Sequence, residues 1–427
     1  MAGRSWAAEL DALPDGSDVE LRGWVFSLAT LGKLHFIRLR DSTGIAQVVV
    51  RPGVSSSEAL ARVETLRRED AIRIKGVVRH DPRAPGGVEV SASHFEVVGG
   101  SLEDFPIRKG VSPRLVGDYR HLYVRSRKLT RVLQARSELL SAFRGWFNRE
   151  GFVEFSCPST ITVAIEGGAT LFEVKYFDKK AYLTQSSQFH LEAGIYSSER
   201  VYTIQPSFRA ERSKTPRHLT EYWHLEAEVA WSGLDDMIEL EERMISDVTR
   251  ELAVSSRVFK SINPDFKPLE MPFQRMKYDE ALDLLKGAGV HLEWGSDFGS
   301  DEEKVISKKV GGPVFITHYP KVARPFYHKP DPNRSEVVLS HDLLMERVGE
   351  IIGGGERIEK YEVLMERIRE SGLDPNEYSW YLDLRKYGSV PHAGFGLGIE
   401  RLLAFLLGLP NIRLAVPFPR TLTRLYP

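Results

Sequence analysis

Three glycines alternate with other residues directly before an arginine near the end of this 427-residue chain. They are Gly394, Gly396 and Gly398, and Arg401 follows in an apolar, helix-like segment. A glycine at every second position leaves one side of an extended backbone bare, so a flat ligand can lie against it while the arginine binds phosphate. The pattern indicates a nucleotide site. The alternative is a glycine-bearing strand packed tightly under a helix.

Two common glycine-rich nucleotide motifs fit this stretch poorly. The dinucleotide fingerprint Gly-x-Gly-x-x-Gly opens a βαβ unit, and here the third glycine comes one residue early. A phosphate-binding P-loop needs Gly-Lys-Ser/Thr, which does not occur in the chain. The nucleotide would therefore be bound in another way.

The composition is that of a soluble globular enzyme, with 27% charged residues, 42% hydrophobic residues and a net charge of -1. No apolar run approaches the roughly 18 residues that span a bilayer. The start of the chain lacks a charged-then-apolar signal pattern, so we expect a cytoplasmic protein. The single cysteine, Cys157, excludes an intrachain disulfide and a thiolate cluster for zinc.

The first hundred residues contain short stretches in which apolar and polar residues alternate, as is typical of β-strands. The predicted strands are residues 19–25, 34–39, 46–50, 71–78, and 87–90 together with 94–98. One helix-like segment, 55–68, lies between the third and fourth strands. Five strands with a helix at that place indicate an OB barrel, a fold that often binds single-stranded nucleic acid; a generic small barrel is the alternative.

The rest of the chain mixes strands with long helices, the clearest at 129–148 and 235–252. Because there is no strict βαβ rhythm, we predict an α+β domain on an antiparallel sheet flanked by helices. Gly99 and Gly100 precede a Pro-bearing, charged connector. The predicted organisation is a five-stranded OB barrel over 1–100, a hinge over 101–125 and a second domain over 126–427.

Residues 208–228 resemble two strands joined by a basic loop. Alternation places Arg209 and Glu211 on one face of the first strand. It also gives the second strand one face that carries Tyr222, His224, Glu226 and Glu228. Arginine, glutamate, histidine and an aromatic ring on one hairpin supply what ATP needs for binding. A solvated charged hairpin is the alternative.

Together these stretches resemble the class II aminoacyl-tRNA synthetases over essentially the whole chain. Residues 139–158, 208–228 and 394–403 are similar to the three motifs of that class, in order. The barrel marks the aspartyl, asparaginyl and lysyl branch, and the short connection and the chain's final residues look archaeal or eukaryotic. The resemblance implies a homodimer with Pro158 at the interface, and RNA, an amino acid and ATP as substrates.

The resemblance also implies an ATP site and its residues. Arg209 would contact the α-phosphate, His218 and Arg401 the γ-phosphate, Tyr222 would stack on adenine, and Arg209 and Arg401 would be catalytic. Mg²⁺ would be held by Glu350, with water or Asp342 completing the shell, because Gly353 stands where aspartyl enzymes have a serine. The full expected set is Arg209, Glu211, Arg217, His218, Tyr222, Glu350, Gly398 and Arg401.

Two positions bear on the choice of amino acid. Leu191 stands where aspartyl members have the lysine that pairs with a substrate carboxylate, and Glu226 stands where they carry aspartate. A carboxylate at that place can accept hydrogen bonds from an amide NH₂ and would repel a substrate carboxylate. The resemblance therefore implies L-asparagine as the substrate and tRNA(Asn) as the RNA.

Four further residues are expected in the amino-acid site. Arg357 could donate to the amide oxygen. Glu166, on a glycine-bearing loop, would read the α-amino group together with Ser186 and Gln188.

In the barrel, Phe36 and Gln47 match the family's pair for the middle anticodon base. A uracil would stack on Phe36 while Gln47 bonds its edge. Ala29 stands where the family often has arginine, which removes one anticodon-loop contact.

Three other functions stay open at this point. An aspartyl enzyme charging one or both RNAs would activate aspartate. A non-catalytic RNA-binding paralogue would activate no amino acid, although the intact arginines speak against it. A ligase that makes an amide on the same scaffold would lack the barrel.

Overall fold

Alternating apolar residues close the first part of the chain into a barrel in the computed structural model, which describes residues 3–108, 110–165, 170–213 and 215–427. The chain divides into two units, Met1–Val116 and Gly117–Pro427. The barrel elements are β1 (Asp18–Leu31), β2 (Leu34–Arg40), β3 (Ile45–Val50), α1 (Ser57–Val63), β4 (Ala71–His80) and β5 (Val88–Gly99), preceded by a 3₁₀ helix at Ala7–Ala12.

The barrel strands follow the order β1-β2-β3-β5-β4, and β1 pairs with both β2 and β4. Only β3 and β5 run parallel. The interior is filled by fully buried side chains such as Ile37, Val48 and Ile74. The predicted OB fold is confirmed, with 87–90 and 94–98 forming one strand. The helix is shorter than predicted and begins after Ser56, whose hydroxyl accepts from the Ala59 N–H at 3.2 Å.

The second unit carries the remaining elements. Its helices, together with the one that leads into it, are α2 (Pro113–Asp118), α3 (Arg120–Tyr123), α4 (Arg127–Arg149), α5 (Gln188–Ser198), α6 (Leu234–Ser255), α7 (Arg257–Ile262), α8 (Tyr278–Gly287), α9 (Ser300–Val310), α10 (Tyr361–Glu370), α11 (Ser379–Lys386) and α12 (Ile399–Leu406). Its strands are β6 (Val153–Glu154), β7 (Thr160–Ile161), β8 (Glu173–Tyr176), β9 (Lys179–Leu183), β10 (Arg200–Phe208), β11 (Glu221–Ala230), β12 (Gln274–Lys277), β13 (Val314–Thr317), β14 (Pro330–Asp331), β15 (Arg334–Val338), β16 (Ser340–Met345), β17 (Gly349–Glu356) and β18 (His392–Gly398).

An eight-stranded sheet in the order β12-β13-β16-β17-β18-β11-β10-β6 forms the centre of this unit. All inner pairings are antiparallel, as predicted, but the outermost pairings, β12 with β13 and β10 with β6, are parallel. Parallel neighbours need a crossover connection, and helices supply it in both places: α5 between β6 and β10, and α8 with α9 between β12 and β13. The sheet is therefore mixed. The smaller sheets are β7-β9-β8 and β14-β15.

The long helix α4 packs against the β10 side of this sheet. It starts at a Ser126 cap, whose hydroxyl accepts from the Leu129 N–H. Its buried Phe147 stacks on Tyr202 of β10, with ring centres 4.2 Å apart. The predicted helices 129–148 and 235–252 correspond to α4 and α6. Among the described residues, no helix is both long enough and apolar enough for a bilayer crossing.

Replacement of Phe147 by alanine tests the contact between α4 and β10. We expect the free energy of unfolding to fall by about 3 to 5 kcal/mol, because a buried aromatic side chain and its stacking partner are lost. Val254→Ala is the matched control, since Val254 is 82% exposed and its loss should change stability by less than about 0.5 kcal/mol. Chemical denaturation measures both; equal effects of the two substitutions would contradict the packing described.

Candidate active site

One face of the sheet is built by glycines on one strand and polar side chains on the next. His224, Glu226 and Glu228 alternate along β11, as predicted, and they lie opposite glycines of β18 in the antiparallel register. The pairs in this register are His224 with Gly398, Glu226 with Gly396, and Glu228 with Gly394. All three polar side chains are buried.

The protein itself fills the space beside two of these glycines. A Cβ atom at Gly394 would lie 2.1 Å from the Glu228 carboxylate, and one at Gly396 would lie 2.4 Å from Nε2 of His224. At Gly398 the nearest atom, on Arg401, would be 3.8 Å away. The expectation of a bare backbone edge for a flat ligand is therefore wrong at Gly394, whereas Gly396 lines a cavity even though a Cβ there would meet His224. The glycines there make room for side chains of β11.

A cavity open to solvent lies at the end of β18. Each residue expected in the ATP site lines it: Arg209, Glu211, Arg217, His218, Tyr222, Glu350, Gly398 and Arg401. The guanidinium carbon of Arg209 lies 5.5 Å from the centre of the Tyr222 ring. Nη1 of Arg401 donates to the Glu350 carbonyl at 2.6 Å. The walls thus combine arginines with an aromatic ring, as recognition of a nucleotide phosphate requires.

The charges in this cavity influence one another. Burial lowers the pKa of His218, and the nearby Arg401 adds to the shift, so the imidazole is neutral at neutral pH. Although burial opposes it, Arg401 and Arg209 hold the pKa of Glu350 below its ordinary value. Arg217 donates to Glu303 at 2.8 Å. A neutral His218 leaves the arginines as the cations that face a bound phosphate.

The loop that carries Arg209 differs from the prediction. The strand β10 ends at Phe208, so Arg209 and Glu211 lie in the loop rather than on a strand face. The reason is that the backbone leaves the ladder: Ala210 N–H donates to the carbonyl of Thr170 at 2.8 Å.

The final residues of the chain hold this loop in place. The Thr220 N–H donates to the Arg420 carbonyl at 2.9 Å, near the point where the loop enters β11. Ile412 N–H donates to the carbonyl of Pro216 at 3.2 Å, near the middle of the loop. Two separate backbone contacts from the C-terminal segment therefore position the phosphate-facing loop.

A second cavity adjoins the first and shares Arg209, His224, Glu350 and Gly396 with it. Residues expected in the amino-acid site also line it, namely Ser186, Gln188, Glu226 and Arg357. Glu166 lies outside the described residues.

Leu191 does not line this cavity. It is fully buried in α5 and belongs to an apolar cluster with Ile195 and Val201. An apolar side chain at this position is drawn into the hydrophobic contact between α5 and β10, so the expectation of a direct substrate contact is corrected. Leu191 therefore affects selectivity only by its lack of charge: the cavity has no cation where aspartyl enzymes have a lysine.

Glu226 is already a hydrogen-bond acceptor for α5. The Ser186 hydroxyl donates to Oε1 of Glu226, and the Ser187 N–H donates to Oε2 at 2.8 Å. The carboxylate thus fixes the start of α5 and keeps part of its accepting capacity for a ligand.

Glu228 is a site residue to which sequence reasoning assigned no role. Nη2 of Arg357 donates to Oε1 of Glu228 at 2.7 Å, and Nε donates to the same oxygen at 3.1 Å. Burial raises the pKa of Glu228 to about 8, against the opposing effect of Arg357. The alternation along β11 predicts that Glu228 lies on the same face as Glu226, and this pattern is the sequence signal that could have assigned it to the site.

A buried polar network behind the cavity was also missed. Glu192 accepts from the Tyr381 hydroxyl at 2.8 Å and pairs with Arg385 and His392. Gln188 donates to the same carboxylate at 3.0 Å, so the network orients a side chain of the cavity. The first three partners are separated from Glu192 by some 190 to 200 positions in the sequence, and only the fold brings them together.

Two carboxylates expected at a magnesium site lie side by side. Glu350 and Asp342 converge on Gly353, where a Cβ would lie 3.0 Å from Oε1 of Glu350 and 3.3 Å from Oδ1 of Asp342. Asp342 pairs with Arg324, and burial raises its pKa to about 7. In the described part of the chain, no group of three or more His, Cys, Asp or Glu side chains is arranged to hold a metal ion. Two protein oxygens fit Mg²⁺, which keeps several waters and binds substrate phosphates.

In the barrel, Phe36 is half-buried and lies outside the cluster that fills the interior. Gln47 lies opposite Arg38 on β2 and donates to Glu89 at 3.0 Å. Phe36 on β2 and Gln47 on β3 therefore lie on the same outer face of the barrel.

Comparisons with known proteins agree with this geometry. The family model of the class II tRNA synthetases (D, K and N) matches residues 112–422, and that of the OB-fold nucleic acid binding domain matches 19–98. The chain belongs to the class II tRNA synthetases of the D, K and N branch. The three motifs assigned from the sequence lie within the matched residues, and the resemblance is confirmed.

Individual relatives cover the whole chain. The asparagine–tRNA ligase of Pyrococcus abyssi is 46% identical over 435 residues, covering 100% of both chains. The crystal structure of asparaginyl-tRNA synthetase from Pyrococcus horikoshii complexed with asparaginyl-adenylate superposes with a TM-score of 0.96, at 46% identity and 100% coverage of both chains. The Entamoeba histolytica enzyme in complex with asparaginyl-adenylate gives a TM-score of 0.90, at 34% identity and 99% coverage of each chain.

Alanine substitutions along β18 test the role of its glycines. We expect Gly396→Ala to lower stability by about 1 to 3 kcal/mol and to reduce ATP–pyrophosphate exchange, because His224 must move out of the cavity wall. Gly398→Ala, whose Cβ would meet only the Arg401 side chain at an ordinary contact distance of 3.8 Å, should leave the fold unchanged. Thermal unfolding and exchange assays measure both. Equal tolerance of the two substitutions would contradict the steric account.

Proposed function

We propose that this chain is an asparagine–tRNA ligase that forms asparaginyl-adenylate from L-asparagine and ATP and transfers the asparaginyl group to the 3′ end of tRNA(Asn). The observation that carries the proposal is the pair of adjoining cavities. One has the residues for ATP, the other holds the Glu228–Arg357 pair, and Arg209 and Glu350 border both. The relatives of 46% identity support it.

The first step joins the substrates where the two cavities meet. A carboxylate oxygen of asparagine attacks the α-phosphorus of ATP, the bond to the β-phosphate oxygen breaks, and pyrophosphate leaves with the electron pair. Arg209 lies between the cavities and would stabilise the charge on the α-phosphate, while Arg401 neutralises the leaving phosphates. Such a displacement depends on positioning and charge neutralisation more than on a general base.

The second step transfers the asparaginyl group to RNA. A hydroxyl of the terminal ribose, expected to be the 3′-hydroxyl, attacks the carbonyl carbon of the adenylate, and AMP leaves. Mg²⁺, held by Glu350 and Asp342, would neutralise phosphate charge when bound. Arg209, which faces both cavities, would stay on the α-phosphate through both steps.

The choice of asparagine would come from the polar groups at the far end of the second cavity. Arg357 can donate to the amide oxygen, while Glu228 and Glu226 can accept from the amide NH₂. An aspartate carboxylate would face both glutamates and find no lysine at position 191. The arrangement therefore favours the neutral amide.

The RNA and the assembly are part of the same proposal. Phe36 and Gln47 on the outer face of the barrel would bind the middle anticodon base, by stacking and by hydrogen bonds to its edge. Pro158 is exposed and is proposed to lie at a homodimer interface. Binding of an anticodon stem-loop with and without its central uracil, and sedimentation, test these two points.

Amino-acid-dependent ATP–pyrophosphate exchange tests the function directly. We expect exchange with L-asparagine and a rate at least about tenfold lower with L-aspartate, because the like-charge contact with Glu226 is costly. Exchange with aspartate alone would contradict the choice of substrate. No exchange with any amino acid would support a non-catalytic RNA-binding protein instead.

Removal of one charge tests how the amide is selected. In Glu226→Gln the repulsion of aspartate is reduced while the Ser186 hydroxyl keeps a hydrogen-bond acceptor, so the asparagine-to-aspartate ratio of kcat/KM should fall by about tenfold or more. Glu336→Gln is the control, since Glu336 is exposed and pairs only with Arg334 among the described residues. An unchanged ratio in Glu226→Gln would refute the assignment.

A further inference from the structure

An exposed aromatic hairpin projects from the second unit. It consists of β8 and β9 joined at Phe177 and Asp178. Tyr176 is 49% exposed and Phe177 is 79% exposed, and their rings form an edge-to-face pair with centres 5.1 Å apart. Phe177 also has a positive φ of 52°, a conformation that bulky residues rarely adopt. The two-residue turn between β8 and β9 requires a positive φ at this position, which glycine would supply more easily, and the exposed Phe177 ring is not needed for the turn.

Lysines surround these two rings. Lys179 lies opposite Tyr176, and Lys175 lies opposite Lys180. Lys180 is bound to Glu173 at 2.8 Å, whereas Lys175 and Lys179 are exposed and form no ion pair within the described residues. Because side chains alternate along a strand, Lys179 shares the face of Tyr176, whereas Lys175 lies on the other face with Lys180. The hairpin therefore presents two aromatic rings with the available Lys179 beside them.

The hairpin is attached to the rim of the active site. β9 runs directly into residues 184–188, of which Ser186 and Gln188 line the second cavity. The Thr184 carbonyl also accepts from the Phe208 N–H at 2.8 Å, one residue before Arg209. The five residues of β9 span about 17 Å. A chain that reaches the cavity from this side would pass along the hairpin.

We propose that this hairpin binds the single-stranded 3′ end of the RNA whose terminal ribose the site acylates. Phe177 and Tyr176 stack on unpaired bases, and Lys179 contacts their phosphates. Aromatic faces interleaved with cations are the usual means of binding single strands. The inference rests on the proposed function and adds a binding surface to it.

A second copy of this chain fits the surface less well. Two hairpins facing each other would bring lysines of like charge together, and the centres of protein interfaces are depleted in lysine. RNA supplies the complementary charge.

The first experiment uses Phe177→Gly in the full-length protein. Glycine readily adopts a positive φ, so this variant removes the ring without disturbing the turn. The probes are a tRNA with an asparagine anticodon and the same RNA lacking its last four nucleotides. We expect the Kd for the intact RNA to rise about tenfold, the Kd for the shortened RNA to stay the same, and asparagine-dependent exchange to match the unchanged protein.

The second experiment tests the cation. Lys179→Ala should reduce the slope of log K against log salt by about 1 for the intact RNA. The matched control is Lys386→Ala with Tyr387→Ala, an exposed lysine–tyrosine pair elsewhere with the ammonium 5.2 Å from the ring. The control should bind both RNAs normally.

Three results would overturn the inference: no change in affinity, an equal change for both RNAs, or a changed sedimentation coefficient with normal RNA affinity, which would assign the surface to a second copy. These failures are distinct from failure of the proposed function. The latter would appear as absent exchange with asparagine in the unchanged protein.

Discussion

The candidate site depends on the close fit between β11 and the glycines of β18. Glu228 and His224 can lie flat over the sheet only because Gly394 and Gly396 have no side chains. This contact places the acids of β11 within one cavity and leaves Gly398 beside the other. With a Cβ at Gly394 the Glu228 side chain would have to move, and with one at Gly396 the His224 side chain would have to move, so the wall shared by the two cavities would change shape.

A buried ion pair joins the rest of the scaffold to this wall. Arg136 of α4 pairs with Glu400 of α12 at 2.8 Å, and the same carboxylate accepts from the Trp223 N–H of β11 at 3.0 Å. Glu400 directly precedes Arg401, so the helices and strand that carry the three family motifs meet at one carboxylate. Removal of one partner would leave a buried charge unpaired, which is strongly destabilising. Together with the C-terminal contacts to the loop, this pair holds the phosphate-facing arginines in position.

Local patterns predicted most of the fold and much of the site. Alternation gave the barrel strands and the face of β11, and the motif order led to the residues expected at ATP, all of which line the first cavity. Contacts between residues far apart in the sequence could not be predicted from it. Neither the pairing of Glu228 with Arg357 nor the environment of Glu192 follows from spacing, because these partners lie more than a hundred positions away. Leu191 shows the same limit: its apolar character was visible, but the cluster that buries it was not.

A double-mutant cycle between Gly394→Ala and Glu228→Ala tests the central claim most directly. Free energies of unfolding of the four proteins measure the coupling. Alone, Gly394→Ala should lower stability by about 1 to 3 kcal/mol, because the new methyl group collides with the carboxylate. With Glu228 already shortened to alanine, the same substitution should cost less than about 0.5 kcal/mol. Additive effects of the two substitutions would contradict the account.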